Sequence, residues 1–225
     1  MMKQMVPHPE RAVTMSRRAI AIIMLLPLLT MLVAACSVGR PRVDPCDAGG
    51  VLLQDDFGGE LNCGWATYNR GGSVVALEEG VLRLSTSQPG QVWWTNPGRN
   101  FEDVIITVQA RQTSGPNDNA YGVICRYQDE GDFYIFLVSG DGYYAIGKYQ
   151  GGNDQVTYLT PDGRFQFSEV INQGIATNQL RASCVGTELT LSVNGIQLLS
   201  VTDPAFDTGD VGLAASTLAL GTAVI

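Results

Sequence analysis

From Val51 onward the chain alternates apolar and polar side chains in short runs, and Gly, Asn and Asp interrupt it roughly every 8–14 residues. Successive side chains of an extended strand point to opposite faces, so a period of two marks strands. The pattern predicts strands over Val51–Phe57, Ser73–Leu77, Gly80–Thr86, Gln91–Thr95, Asp103–Gln112, Ala120–Gln128, Phe133–Val138, Tyr143–Gln150, Gln155–Leu159, Gln179–Val185, Leu189–Val193, Gln197–Val201 and Asp210–Ala215. Asn194-Gly195 reads as a two-residue hairpin turn, because both positions of such a turn take positive φ and these residues tolerate it. Glu79-Gly80 and Asp141-Gly142 mark further reversals. Nothing beyond the leader has a helical period. So many short strands in one domain must close on themselves or stack, which predicts an all-β, two-sheet β-sandwich or jelly roll.

The first 35 residues read differently. Arg17 and Arg18 precede an apolar run from Ala19 to Leu32, which ends in Val33-Ala34-Ala35-Cys36. This resembles a bacterial lipoprotein signal: a helical leader cut before Cys36, whose thiol then carries lipid. The uncharged run Ala19–Val38 is also long enough for a retained membrane span of about 20 residues. The small-small-Cys ending favours cleavage. The expected organisation is a signal peptide over 1–35, a lipidated tether over 36–49 containing Gly39, Pro41 and Pro45, and one domain over 50–225. Either reading places the domain outside the cytoplasm, at the cell membrane or cell surface.

The leader carries Lys3, Arg11, Arg17 and Arg18 against Glu10. Of 14 basic and 22 acidic residues the mature chain therefore keeps 10 and 21, a net charge of −11. Such a surface repels phosphate backbones and anionic headgroups, so no nucleic-acid partner is expected, and membrane contact falls to the anchor. The only histidine, His8, leaves with the leader. Ser-His-Asp and Cys-His catalysis are thereby excluded from the mature chain.

Four cysteines remain after Cys36: Cys46, Cys63, Cys125 and Cys184. In an oxidising compartment an even set reads as disulfides, and four thiols allow three pairings. Cys46 with Cys63 would join tether to domain. Cys125 with Cys184 is favoured because alternation puts both on apolar strand faces.

The succession Asp55-Asp56-Phe57, Gly64-Trp65, Tyr121-Gly122-Val123-Ile124-Cys125-Arg126-Tyr127, Asp132-Phe133-Tyr134, Leu180-Arg181, Leu191-Ser192-Val193-Asn194-Gly195 and Gly209-Asp210-Val211-Gly212-Leu213 resembles the concanavalin A-like lectin/glucanase superfamily. Its 3-keto-disaccharide hydrolase-like and laminin-G-like branches are the nearest in pattern. The resemblance runs from about Leu52 to Ile225 and implies a concanavalin A-like jelly roll. It implies no single function, since lectins, glycosidases and adhesion modules share this fold. Relatives finish with a Phe-Asp-Asn-Phe-like strand beside the first strand, whereas this sequence stops at Gly221–Ile225. The expectation is a domain lacking its last strand, with an unpaired edge near Val51–Phe57 that is prone to association. The laminarinase-like members carry a Glu-x-Asp-x-x-Glu motif, and the nearest string here, Glu130-Gly131-Asp132-Phe133-Tyr134-Ile135, lacks its second glutamate.

Parity then sorts the strands into faces. Tyr121, Val123, Cys125 and Tyr127 share one face of their strand, and Leu180, Ala182 and Cys184 one face of theirs. Taking Phe133, Ile135 and Leu137 as inward leaves Tyr134 and Phe136 outward with Gln109, Arg111, Arg126, Arg181, Tyr144 and Lys148. Aromatic rings can pack on the C–H faces of sugars, and Arg can bridge hydroxyls, so Arg126, Tyr134, Tyr144, Lys148, Arg111 and Arg181 form the expected ligand-binding set. Of Trp93 and Trp94, one should face the core and the other offer a ligand platform. Trp65 reads as core. Asp129, Glu130 and Asp132 are a candidate calcium set, although a solvated acidic turn is the commoner use of such a cluster, so no metal ligand is assigned. No catalytic residue is assigned either. The expected function is a lipid-anchored, extracytoplasmic, lectin-like carbohydrate-binding module without catalysis. The alternatives are a glycoside-acting hydrolase and a structural or adhesion module of the envelope.

Overall fold

The computed structural model describes residues 46–47, 49–59, 62–153, 155–217 and 223–225. The chain divides into two units, Met1–Asp47 and Ala48–Ile225. The expected signal helix and Cys36 lie outside the described residues. No helix among the described residues is long and apolar enough to cross a membrane.

The second unit is built of strands β1 (Tyr68–Arg70), β2 (Ser73–Glu78), β3 (Val81–Thr86), β4 (Val92–Thr95), β5 (Val104–Ala110), β6 (Ala120–Asp129), β7 (Asp132–Ser139) and β8 (Tyr143–Tyr149). They are followed by β9 (Thr157–Tyr158), β10 (Gln166–Phe167), β11 (Asn178–Val185), β12 (Glu188–Val193), β13 (Ile196–Thr202), β14 (Asp210–Ser216) and β15 (Ala223–Val224). Every strand expected from the pattern forms within two residues of its limits, except Val51–Phe57. There the carboxylates of Asp55 and Asp56 accept the amides of Phe57 and Gly58 at 2.8 and 2.9 Å, and Phe57 takes φ 58°. These side-chain turns compete with a ladder, and after a bridge at Val51 the segment runs irregularly. The Glu79-Gly80 and Asn194-Gly195 turns form as expected, with positive φ at both residues.

A seven-stranded antiparallel sheet has the order β10-β8-β7-β6-β14-β4, with β9 also on β8. A four-stranded sheet, β13-β12-β11-β5, lies against it, and a second four-stranded sheet is ordered β1-β2-β3-β15. The main core fills the space between the two larger layers. Tyr121, Val123, Tyr134, Phe136 and Ile146 meet Leu180, Ala182, Leu189, Leu191 and Val193 there, all buried. The Cys125–Cys184 disulfide links β6 to β11 within this core. Cys46 and Cys63 are each disulfide-bonded as well. This is the β-sandwich jelly roll that the pattern predicts.

Two parity assignments change. Cys125 pairs with Tyr134, and cross-strand partners share a face, so Tyr134, Phe136 and Val138 point between the layers. Phe133, Ile135 and Leu137 point to the other side. Phe133–Val138 is apolar at every position, so alternation offers no polar reference for choosing a face. On β6 the ladder shifts between Cys125 and Asp129, and Arg126 has φ 53°. The irregularity turns Arg126 inward and sends Tyr127 to the face of Phe133.

Candidate functional site

The face of the seven-stranded sheet turned away from the main core carries its own apolar cluster: Ala120, Ile124, Phe133, Ile135, Leu137 and Ala214. Gly147 on β8 leaves room for Val156, whose Cγ2 would lie 2.9 Å from a Cβ at that position. The segment after β8 thereby covers part of the face through Val156, Tyr158 and Phe165.

Beside this cover runs a row of four rings from four strands. Trp94 (β4) lies 5.3 Å from Phe133 (β7) and 6.1 Å from Tyr127 (β6), measured between ring centroids. Tyr127 lies 5.6 Å from Phe133, and Tyr149 (β8) stacks on Phe133 at 4.6 Å. β14 separates β4 from β6, yet its residues on this face are small. Ala214 pairs with Trp94, and Gly212, opposite Ile124, has Asn96 2.8 Å from where its Cβ would be. These small residues let the Trp94 ring reach across. Phe133 is fully buried, whereas Trp94, Tyr127 and Tyr149 are half-buried. Burial raises the Tyr127 hydroxyl above its ordinary pKa; the Trp94 indole hydrogen bond opposes this, and the charges of Glu130, Asp129 and Asp210 add to it. The row thus joins flat apolar surface to hydroxyl groups and an acidic rim, a chemistry suited to stacking and hydrogen bonding with a polyhydroxylated ring.

The residues expected to bind ligand do not share one face. Tyr134 is fully buried: its hydroxyl donates to Asp203 Oδ1 at 2.6 Å and accepts the amides of Ala205 and Phe206 at 3.0 and 3.2 Å. Arg126 is 2% exposed and donates to the Phe206 carbonyl at 2.6 Å. Lys148 pairs with Asp203 Oδ2 at 2.7 Å, and half-buried Tyr144 donates to the Leu198 carbonyl at 3.4 Å. Arg111 follows β5, and Arg181 lies on the outer, polar face of β11 opposite Thr107 and Ser192; both are exposed. The expected cationic-aromatic face is therefore corrected. Arg126, Tyr134 and Lys148 hold the Asp203–Phe206 segment, Tyr144 reaches β13, and the two exposed arginines belong to the other layer.

Trp94 joins the ring row, while Trp93 pairs with Ala215, which packs with Val75 and Leu84. Tyr127, Phe133 and Tyr149 are not singled out by the sequence pattern, although Tyr127 and Phe133 flank the β6–β7 turn and so stand to meet across the hairpin. Asp129 and Asp132 spend one oxygen each on the amides of Gly131 and Gly151, both at 2.8 Å. Among the described residues no group of three His, Cys, Asp or Glu could hold a metal ion.

No family model and no curated protein matches the chain. Solved structures do. The chain is similar to a carbohydrate-binding module, CBM66, from Bacillus subtilis, at 16% identity, a TM-score of 0.52, and 72% of this chain covered against 91% of that one. It is similar to a Bacteroides ovatus GH16 protein of a mixed-linkage glucan locus, solved with a glucan product, at 7% identity, a TM-score of 0.53 and 77% against 97% coverage. A Bacillus subtilis protein of unknown function with a galectin-like fold matches at 13% identity, a TM-score of 0.52 and 78% against 93% coverage. At these identities the likenesses show the fold, a jelly-roll β-sandwich.

Proposed function

We propose that this protein is a lipid-anchored, extracytoplasmic carbohydrate-binding module without catalysis, and that it binds glycan on the ring row of Trp94, Tyr127 and Tyr149 over Phe133. The observation that carries this reading is the row itself: four aromatic rings from four strands, three of them half-buried on one sheet face. Carbohydrate-binding and glucan-processing proteins among the fold neighbours support the class of ligand. The non-catalytic reading is supported by the string Glu130–Ile135, which lacks the second glutamate of the laminarinase-like motif. Buried Asp210 has both oxygens occupied, accepting the amides of Gly98 and Val211 at 2.7 and 2.8 Å, so it caps backbone.

Binding is tested on a glycan array and then by calorimetry, with and without calcium. Trp94→Ala and Tyr149→Ala should each weaken binding about tenfold, the equivalent of about 1.4 kcal/mol, with the fold intact by circular dichroism. Binding that both variants retain at full strength would refute the placement. Substrate turnover lost with a single carboxylate would instead establish a hydrolase. The anchor rests on the Val33–Cys36 ending of the leader. Cys36→Ser should move the protein from the membrane to the soluble extracytoplasmic fraction, and mass spectrometry should find lipid on Cys36 of the parent.

A further inference from the structure

Between the irregular segment at residues 50–57 and the free edge of β5 runs a groove of about 530 Å³, lined by Leu52, Leu53, Trp65, Ile106, Val108 and Leu213 among others. Three features distinguish it from a plain apolar hollow. Among the described residues β5 pairs only with β11, so alternate residues of its seven present backbone N–H and C=O groups to the groove. Among the described residues no backbone hydrogen bond joins residues 50–57 to β5. Two buried polar atoms on lining residues have no hydrogen-bond partner among the described residues, the Trp65 indole Nε1 and Asp55 Oδ2. Trp65 is 7% exposed, so its N–H is cut off from bulk water and waits for an acceptor.

These features share one complement. An extended backbone beside β5 would complete its ladder, place alternate side chains on the apolar floor and bring a carbonyl to Trp65. Charge selects among possible donors of that strand. Asp55 and Asp103 line the groove, Asp103 paired with Arg126 at 3.5 Å, in a chain of net charge −8, so a basic segment is attracted, chiefly at Asp55, and a second copy of the acidic chain is repelled. We propose that the groove is a β-augmentation site for a partner polypeptide, taking an extended segment of up to seven residues with aliphatic side chains at alternate positions and a Lys or Arg directed at Asp55.

The test uses the full chain and the synthetic peptide acetyl-Lys-Val-Thr-Val-Thr-Val-Thr-amide, with a second peptide in which Glu replaces Lys. The first should bind saturably by fluorescence anisotropy and slow amide exchange in β5, and the Glu peptide should bind at least tenfold more weakly. Trp65→Phe, which removes the N–H and keeps an aromatic ring, should weaken binding several-fold. Asp55→Asn should remove the preference for Lys over Glu. Failure of the Lys peptide to bind folded protein, equal binding of the two peptides, or slowed exchange elsewhere than β5 would overturn the proposal. So would a concentration-dependent dimer with β5 protected in the absence of peptide, because the occupant would then be a second copy.

Discussion

Tyr134, Lys148 and Arg126 attract notice in the sequence because they are polar and aromatic groups on apolar strands, and the structure gives them another task. Together they fasten the Asp203–Phe206 segment to the main core. Burial works to raise the Asp203 carboxyl, but hydrogen bonds from Lys148, Tyr134 and the Ala205 amide, with the Lys148 charge, outweigh it and hold the group below its ordinary pKa. A carboxyl depressed on folding contributes stability above its unfolded value of about 3.9, and loses that contribution as pH falls through the folded value. The melting temperature should therefore drop below about pH 4, and the drop should be shallower in an Asp203→Asn/Lys148→Met double variant. A parallel pH dependence in the two proteins would show that Asp203 is not coupled to folding. Asp210 acts with the opposite sign. Burial raises its carboxyl against the Arg99, Val211 and Gly98 amides and the Arg99 charge, so its contribution declines as pH climbs out of the unfolded carboxylate range.

At the level of elements, strands and turns are legible wherever polar and apolar residues alternate and wherever Gly sits at a reversal. Asn194-Gly195, set between the apolar-polar runs of β12 and β13, leads directly to the observed hairpin. Face assignment fails on β7, where an unbroken apolar run has a buried face on each side, and on β6, where one residue of positive φ reverses the parity of Tyr127 and its successors. Both failures conceal the ring row, since simple alternation turns Tyr127 and Phe133 toward the wrong layer. The reversal on β6 leans on Gly209, just before β14, which exchanges two backbone hydrogen bonds with Phe101 at 2.9 and 3.0 Å. A Cβ at Gly209 would lie 2.4 Å from the Arg126 carbonyl carbon and 2.6 Å from the Tyr127 oxygen. Gly209→Ala should accordingly cost about 1–3 kcal/mol in urea unfolding, the usual range for overpacking a closed site. It should also weaken glycan binding by moving Tyr127. A loss of stability under about 0.5 kcal/mol would mean that the β6 irregularity yields easily.

Across the whole molecule, the Cys125–Cys184 bond joins the two layers of the sandwich and spans 59 residues of sequence. Closing a loop of that length in the unfolded chain stabilises the fold by about 4 kcal/mol on the chain-entropy account. A Cys125→Ala/Cys184→Ala variant should lose about 2–5 kcal/mol by denaturant unfolding. An unchanged midpoint would show that packing alone secures the layers.

The ring row has a mechanical side as well. Among the described strands β4 ends its sheet, held by β14 on one side, whereas β8 lies beyond β6 and β7 near the opposite edge. A ligand resting on Trp94 and Tyr149 would run across the strands and act as a clasp between chain segments more than fifty residues apart in sequence. The edge strand would then fray less when occupied, and the domain would unfold more nearly as one body than it does when empty.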